Sequence, residues 1–146
     1  MSRLPVVSLR GAPLPAYATA GAAGLDLVAW PDDEELILYP SERLRVPTGL
    51  QMALPPGTEG QIRPRSGLAA THGLTVLNAP GTIDSVFRGA IEVLLVNLGQ
   101  AAVRIKRGQR IAQLVVAPVI RAELQQVAEL EPTDRGAGGF GHTGAS

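Results

Sequence analysis
A chain of 146 residues fits one domain with a real core and is short for two. Thirteen basic residues balance thirteen acidic ones, so no net field points to nucleic acid, and an anionic partner has to be met by local groups. The lack of cysteine excludes disulfides and thiolate zinc sites and suits a cytoplasmic compartment; the opening MSRLPVVSLR lacks the apolar core and cleavage site of a signal peptide, and no window is long and apolar enough for a membrane span.

In chain order, short apolar runs predict strands over Leu4–Leu9, Leu25–Val28, Leu36–Leu38, Leu44–Val46, Leu50–Leu54, Gly60–Arg63, Leu74–Leu77, Ile91–Leu98, Ala101–Ile105 and Arg110–Val116. Between them fall Pro-Gly, Asn-Leu-Gly and Lys-Arg-Gly turns, so the twelve prolines and seventeen glycines read as punctuation rather than disorder. Only Ser66–Thr71 and Arg121–Glu129 are candidates to coil into helix. There is no internal repeat and no βαβ spacing, which disfavours a doubly wound nucleotide fold. An all-β barrel or sandwich is the economical solution.

Aromatic residues make up 3% of the chain, so Val, Leu, Ile and Ala must fill the core. The runs IEVLLVNL and RIAQLVVAPVI are apolar on both faces at several positions, a pattern that predicts coverage by neighbouring copies of the chain. From Asp134 the sequence turns to DRGAGGFGHTGAS, which cannot form a core. It reads either as a loose terminus or as an arm in which Arg135 clamps a phosphate, glycine amides wrap it and Phe140 supplies an aromatic face.

Three constellations carry chemistry. Arg63-Pro64-Arg65-Ser66-Gly67 places two guanidinium groups and a hydroxyl where a strand gives way to a short helix; it suits a phosphoryl oxygen, or else is a capped helix with solvated arginines. It lacks the glycine spacing and lysine of a P-loop. Asp84 sits between Ile83 and the Val86-Phe87 pair in what reads as an apolar hairpin mouth. There a carboxylate is either a base for water or a turn group that caps backbone amides. Asp26, within AGLDLVA, is an inward acid that either pairs with an arginine or joins a metal–phosphate site. Two histidines cannot by themselves make a catalytic zinc site, whereas carboxylates can hold magnesium together with a phosphorylated substrate. His72 reads as a surface or capping residue.

Five blocks occur in one order: AGLDLVA at Ala23–Ala29, GQIRPRSGLA at Gly60–Ala69, LNAPGTIDSVFRG at Leu77–Gly89, RGQRIAQLVV at Arg107–Val116 and RGAGGFGHTG at Arg135–Gly144. With them the chain resembles the homotrimeric dUTP nucleotidohydrolases, or dUTPases, over essentially its whole length. The resemblance implies a distorted jelly-roll or β-clip barrel over residues 1–133, with residues 134–146 as a flexible arm that closes over sites shared between three subunits. It implies Mg2+-dependent hydrolysis of dUTP to dUMP and pyrophosphate, which keeps uracil out of DNA and supplies dUMP for thymidylate synthesis.

By the same resemblance, Asp84 is the base for the water that attacks the α-phosphorus. The hairpin Leu77–Ile83, with Asn78, Gly81, Thr82 and Ile83, reads the uracil edge and leaves no room for a thymine methyl. Phe87 stands where the family usually has a tyrosine against the deoxyribose, a task that needs the ring more than the phenol oxygen. Arg65, Ser66, Gly67 and Gln113 belong to the phosphate site. Arg135 clamps the phosphates, Phe140 stacks over uracil, and Gly141 and His142 follow with the wrapping segment. Asp26 is expected to touch magnesium through water.

Three departures stand out: Val86 where an acid is frequent, Ala90 where a glutamate is frequent, and His142 in place of a tail hydroxyl. An imidazole is larger than a hydroxyl and ionises near neutrality, so arm closure is expected to depend on pH. Two other classes compete. dCTP deaminases share a related fold but need a proton-shuttling glutamate, where this chain has Phe87 and Ala90; a non-catalytic trimeric module would be favoured by loss of Asp84 or the tail, and both are present.

Overall fold
Alternation decides the strands. In Leu25–Val28 the two leucines are buried while Asp26 and Val28 are half-exposed, and in Ile91–Asn97 the odd positions turn inward at Ile91, Val93 and Leu95. This is the period of a sheet with one face on a core. The computed structural model, which describes residues 3–145, carries ten strands and one helix among those residues. In chain order they are β1 Val6–Ser8, β2 Leu25–Val28, β3 Glu35–Leu38, β4 Arg43–Met52, β5 Thr58–Pro64, α1 Ser66–His72, β6 Leu74–Val76, β7 Gly81–Asp84, β8 Ile91–Asn97, β9 Val103–Lys106 and β10 Arg110–Pro118.

All pairings are antiparallel. One sheet runs β1-β4-β8-β6, a second runs β2-β10-β5-β7, and β3 pairs with β9 in a small third. One apolar cluster draws on all three, with Leu27 from β2, Leu38 from β3, Val46 and Leu50 from β4, Ile62 from β5, Val93 and Leu95 from β8, Ile105 from β9 and Leu114 from β10. The chain is an all-β distorted jelly-roll of β-clip type.

Three expectations are corrected. Leu44–Val46 and Leu50–Leu54 are not separate strands: β4 runs through Pro47 and Gly49, and its pairing with β8 absorbs them as a register shift between Pro47 and Leu50. Gly49 has a φ of 70°, and a side chain there would meet Ala12 and Trp30, so glycine is required both by conformation and by space. Second, Leu77–Ile83 is not a hairpin. β6 pairs with β8 whereas β7 pairs with β5, so the turn between them carries the chain from one sheet to the other. Third, Arg121–Glu129 forms no helix. Leu124 and Val127 within it are exposed, and a short helix with no face to bury is not held together.

A single buried polar side chain knits the far end of the barrel. Asn97, fully buried, donates through Nδ2 to the carbonyls of Leu38 at 2.9 Å and Ala101 at 2.8 Å, and its Oδ1 accepts from the Gly99 amide at 2.9 Å. Leu94 on β8 and Val115, Val116 and Ala117 on β10 remain half-exposed, so the second faces of these strands are only partly covered within one chain.

Candidate active site
β7 lies at the edge of its sheet. It pairs with β5 on one side only, so alternate residues turn their N–H and C=O groups away from the sheet with no strand to receive them. That edge borders a cavity of about 290 Å³ lined by Asn78, Gly81, Thr82, Ile83, Phe87 and Ala90, with Arg45, Ile62, Ile91, Glu92 and Leu94 behind. The Asn78 side chain lies over Gly81, where a Cβ would stand 3.2 Å from its Nδ2. A short edge of unpaired backbone beside an amide side chain and an aromatic ring offers donors and acceptors in a fixed order to a flat heterocycle.

Asp84 ends β7 and is exposed. The expected apolar surroundings are therefore not those of this carboxylate within one chain. Among the described residues no backbone amide donates to it, which removes the amide-capping alternative; the turn is closed instead by the Phe87 amide donating to the Asp84 carbonyl at 3.0 Å. Across the sheet, Asp84 stands opposite Glu59, whose carboxylate accepts from Gln61 Nε2 at 2.6 Å. A single turn thus joins Asp84 to Phe87.

A second, separate cavity of about 490 Å³ is lined by Asp26, Arg65, Ser66, Gly67, Leu68, Arg110 and Gln113, with Ala18, Ala22, Ala23 and Gly24. Asp26 accepts from Arg110 Nη1 at 3.1 Å, and its other oxygen faces Arg65 Nε at 3.9 Å. The arginine pair, one of the two alternatives for Asp26, is formed. Arg65 is the N-cap residue of α1 and supplies no side-chain cap. Gln113 donates to the Pro64 carbonyl at 3.2 Å, and it lies so close to Gly24 that a Cβ there would stand 2.6 Å from its Oε1. Two guanidinium groups against one carboxylate leave this cavity with an excess of positive charge, suited to a phosphate chain.

The tail residues are placed elsewhere. Arg135 donates to the Gly138 carbonyl at 3.0 Å, the His142 ring lies over Gly138, and Phe140 is fully exposed. Together with Asp134, Gly141 and Thr143, Arg135 and His142 border a pocket of their own. None of them lines either of the two cavities described above. His72 is an exposed residue in the last turn of α1, as expected. Sequence reasoning missed Arg110, Gly24 and Arg45. Arg110 had a legible signal, a cation opening a strand two residues before the buried Ala112; Gly24 and Arg45 are set by non-local contacts.

The sequence profile of the dUTPase family matches residues 10–144. The chain belongs to the dUTPase family. It is 59% identical over 140 residues to a deoxyuridine 5'-triphosphate nucleotidohydrolase of Anaeromyxobacter sp. (strain Fw109-5), covering 94% of this chain and 93% of the relative. A protein of the same name from Methylocella silvestris is 61% identical over 135 residues, covering 92% and 84%. Among solved structures, a point mutant of the Staphylococcus bacteriophage 80alpha dUTPase with dUpNHpp superposes with a TM-score of 0.89 at 26% identity, covering 99% of this chain and 100% of that one.

Within this family member, no cluster of three or more His, Cys, Asp or Glu side chains capable of holding a metal occurs among the described residues. Asp26 is already engaged by two arginines. That donor set does not fit a protein-held resident ion; it fits an ion that arrives on a triphosphate and meets the protein through water. No helix among the described residues is long and apolar enough to cross a membrane.

Proposed function
We propose that the chain hydrolyses dUTP to dUMP and pyrophosphate, by attack of water at the α-phosphorus. The observation that carries this reading is the placement of Asp84 at the end of the edge strand beside the nucleoside cavity, one turn from Phe87. The outward-facing backbone groups of the Gly81–Ile83 edge meet the uracil N3–H and carbonyls, with Asn78 completing the edge. Cytosine, whose donor and acceptor positions are exchanged, mismatches the same groups. The Phe87 ring occupies the space beside C2', so a ribose hydroxyl is excluded.

Asp84 orients one water and takes its proton as the oxygen bonds to the α-phosphorus; the bond from that phosphorus to the α,β-bridging oxygen breaks, and pyrophosphate leaves with the electron pair. Arg65, with Ser66, Gly67 and Gln113, binds the phosphate chain and neutralises the charge that shifts onto it. Magnesium, when carried in by the triphosphate, adds charge neutralisation on the phosphate oxygens, with Asp26 as its indirect partner through water. Arg135, Phe140, Gly141 and His142 close over the bound nucleotide as an arm, residues 134–146, on a body of residues 1–133.

The base half and the phosphate half share no lining residue. This separation supports a homotrimer in which the two halves come from different subunits, and the half-covered faces of β8 and β10 supply apolar surface for such contacts. A cytoplasmic location accompanies the reading, where the product feeds thymidylate synthesis and uracil is kept out of DNA. The test is pyrophosphate release with Mg2+ from dUTP, dCTP, dTTP and UTP, for the unaltered protein and for Asp84→Asn. Release from dUTP alone, lowered by a factor of about 100 or more in the variant, is expected; release from none would turn the reading toward a non-catalytic module.

A further inference from the structure
The backbone of Gly89 lies outside the left-handed region, so the chain path does not by itself demand glycine there. The demand is one of space. A methyl group at this position would stand 2.6 Å from Cζ of Phe87 and 3.0 Å from its Cε2. The Phe87 ring therefore lies directly on the Gly89 backbone. The same turn is held from three other directions. The Phe87 amide donates to the Asp84 carbonyl at 3.0 Å, Arg88 Nη1 donates to the carbonyls of Ser85 at 2.7 Å and Phe87 at 2.8 Å, and Gln51 Nε2 from β4 reaches the Arg88 carbonyl at 3.0 Å.

We propose that Gly89 is a specificity-determining position: it is the seat that fixes the Phe87 ring against the sugar, on a turn braced by Arg88 and Gln51, and so sets the choice of deoxyribose over ribose. The inference rests on the reading above, in which Phe87 abuts C2'. Arg88 and Gln51 are positioning residues that act through the turn. The ring is the far end of a side chain 41% exposed, so it can swing away from an added methyl without disturbing the core. The effect of enlarging Gly89 thus falls on selectivity and not on stability. A glycine needed for packing would behave in the opposite way.

The experiment compares kcat/KM for dUTP and UTP in the unaltered protein, Gly89→Ala, Phe87→Ala and the double variant, alongside thermal unfolding. In Gly89→Ala the dUTP-to-UTP ratio is expected to fall by about tenfold or more, with a midpoint within about 2 °C of the parent. In the Phe87→Ala background, adding Gly89→Ala is expected to leave the ratio where it is, since the partner of the seat is gone. An unchanged ratio in Gly89→Ala, an equal fall in both backgrounds, or a loss of more than about 5 °C in midpoint overturns the inference. If the unaltered protein does not prefer dUTP, the functional reading fails first and the inference with it. If it does, and Gly89→Ala keeps that preference, the inference alone fails.

Discussion
The Asp26 carboxylate lies between two guanidinium groups, accepting from Arg110 at 3.1 Å and facing Arg65 at 3.9 Å. It is the single anion in a cavity otherwise prepared for one. Removing its charge should free both arginines for phosphate and, on the proposed reading, take away the indirect foothold for magnesium. With chelator present, Asp26→Asn is expected to bind inorganic pyrophosphate about threefold to tenfold more tightly. Its hydrolysis rate should need more Mg2+ to saturate. Competition binding and a magnesium titration read the two effects, and weaker pyrophosphate binding without metal would contradict the counter-charge role. Because Asp26 and both arginines are partly solvated, stability should change by only about 1 kcal/mol or less.

A site shared between subunits, as proposed above, has a direct consequence for mixtures. On that reading Asp84→Asn and Arg65→Met are each expected to disable every site in their own assembly. When the two variants are unfolded together at equal amounts and refolded, about one quarter of the sites should combine an intact Asp84 with an intact Arg65. Recovery of about that fraction of the parent rate is expected from pyrophosphate release. A mixture as inactive as its components would place both halves of the site in one subunit.

The arm is held by its own turns: Gly136 bonds to Thr133, Gly138 to Arg135 and His142 to Gly139. Ending the chain at Thr133 should therefore leave the unfolding midpoint within about 2 °C of the parent, while kcat/KM for dUTP falls by about 100-fold or more as closure and water exclusion are lost. A truncated chain with parental kinetics would make the tail an ornament.

Asn97 gives a stability test away from the site. Its three hydrogen bonds tie β8 to Leu38, Gly99 and Ala101. Asn97→Ala strands two carbonyls and an amide and should cost about 2–4 kcal/mol in denaturant unfolding. Kinetics in the folded fraction should be unaffected; a cost below about 0.5 kcal/mol would show that water replaces the side chain.

What local chemistry encodes was legible in the sequence. β2 and the start of β10 lie where short apolar runs put them, α1 begins at Ser66 as its position after Arg-Pro-Arg suggested, and five ordered blocks pointed to the family. The sequence by itself therefore determined the strand-rich class, the family and the order of its five blocks along the chain. Only the tertiary structure decided which strands meet. Pro47 and Gly49 look like breaks until β8 is seen to absorb them with a register shift, and Leu77–Ile83 looks like a hairpin until β6 and β7 are found in different sheets. Pairing is settled between segments far apart in sequence, and no window along the chain contains both partners. The same reason separates Phe87 from Arg65: local pattern names each residue, but only the folded sheets place them in two different cavities.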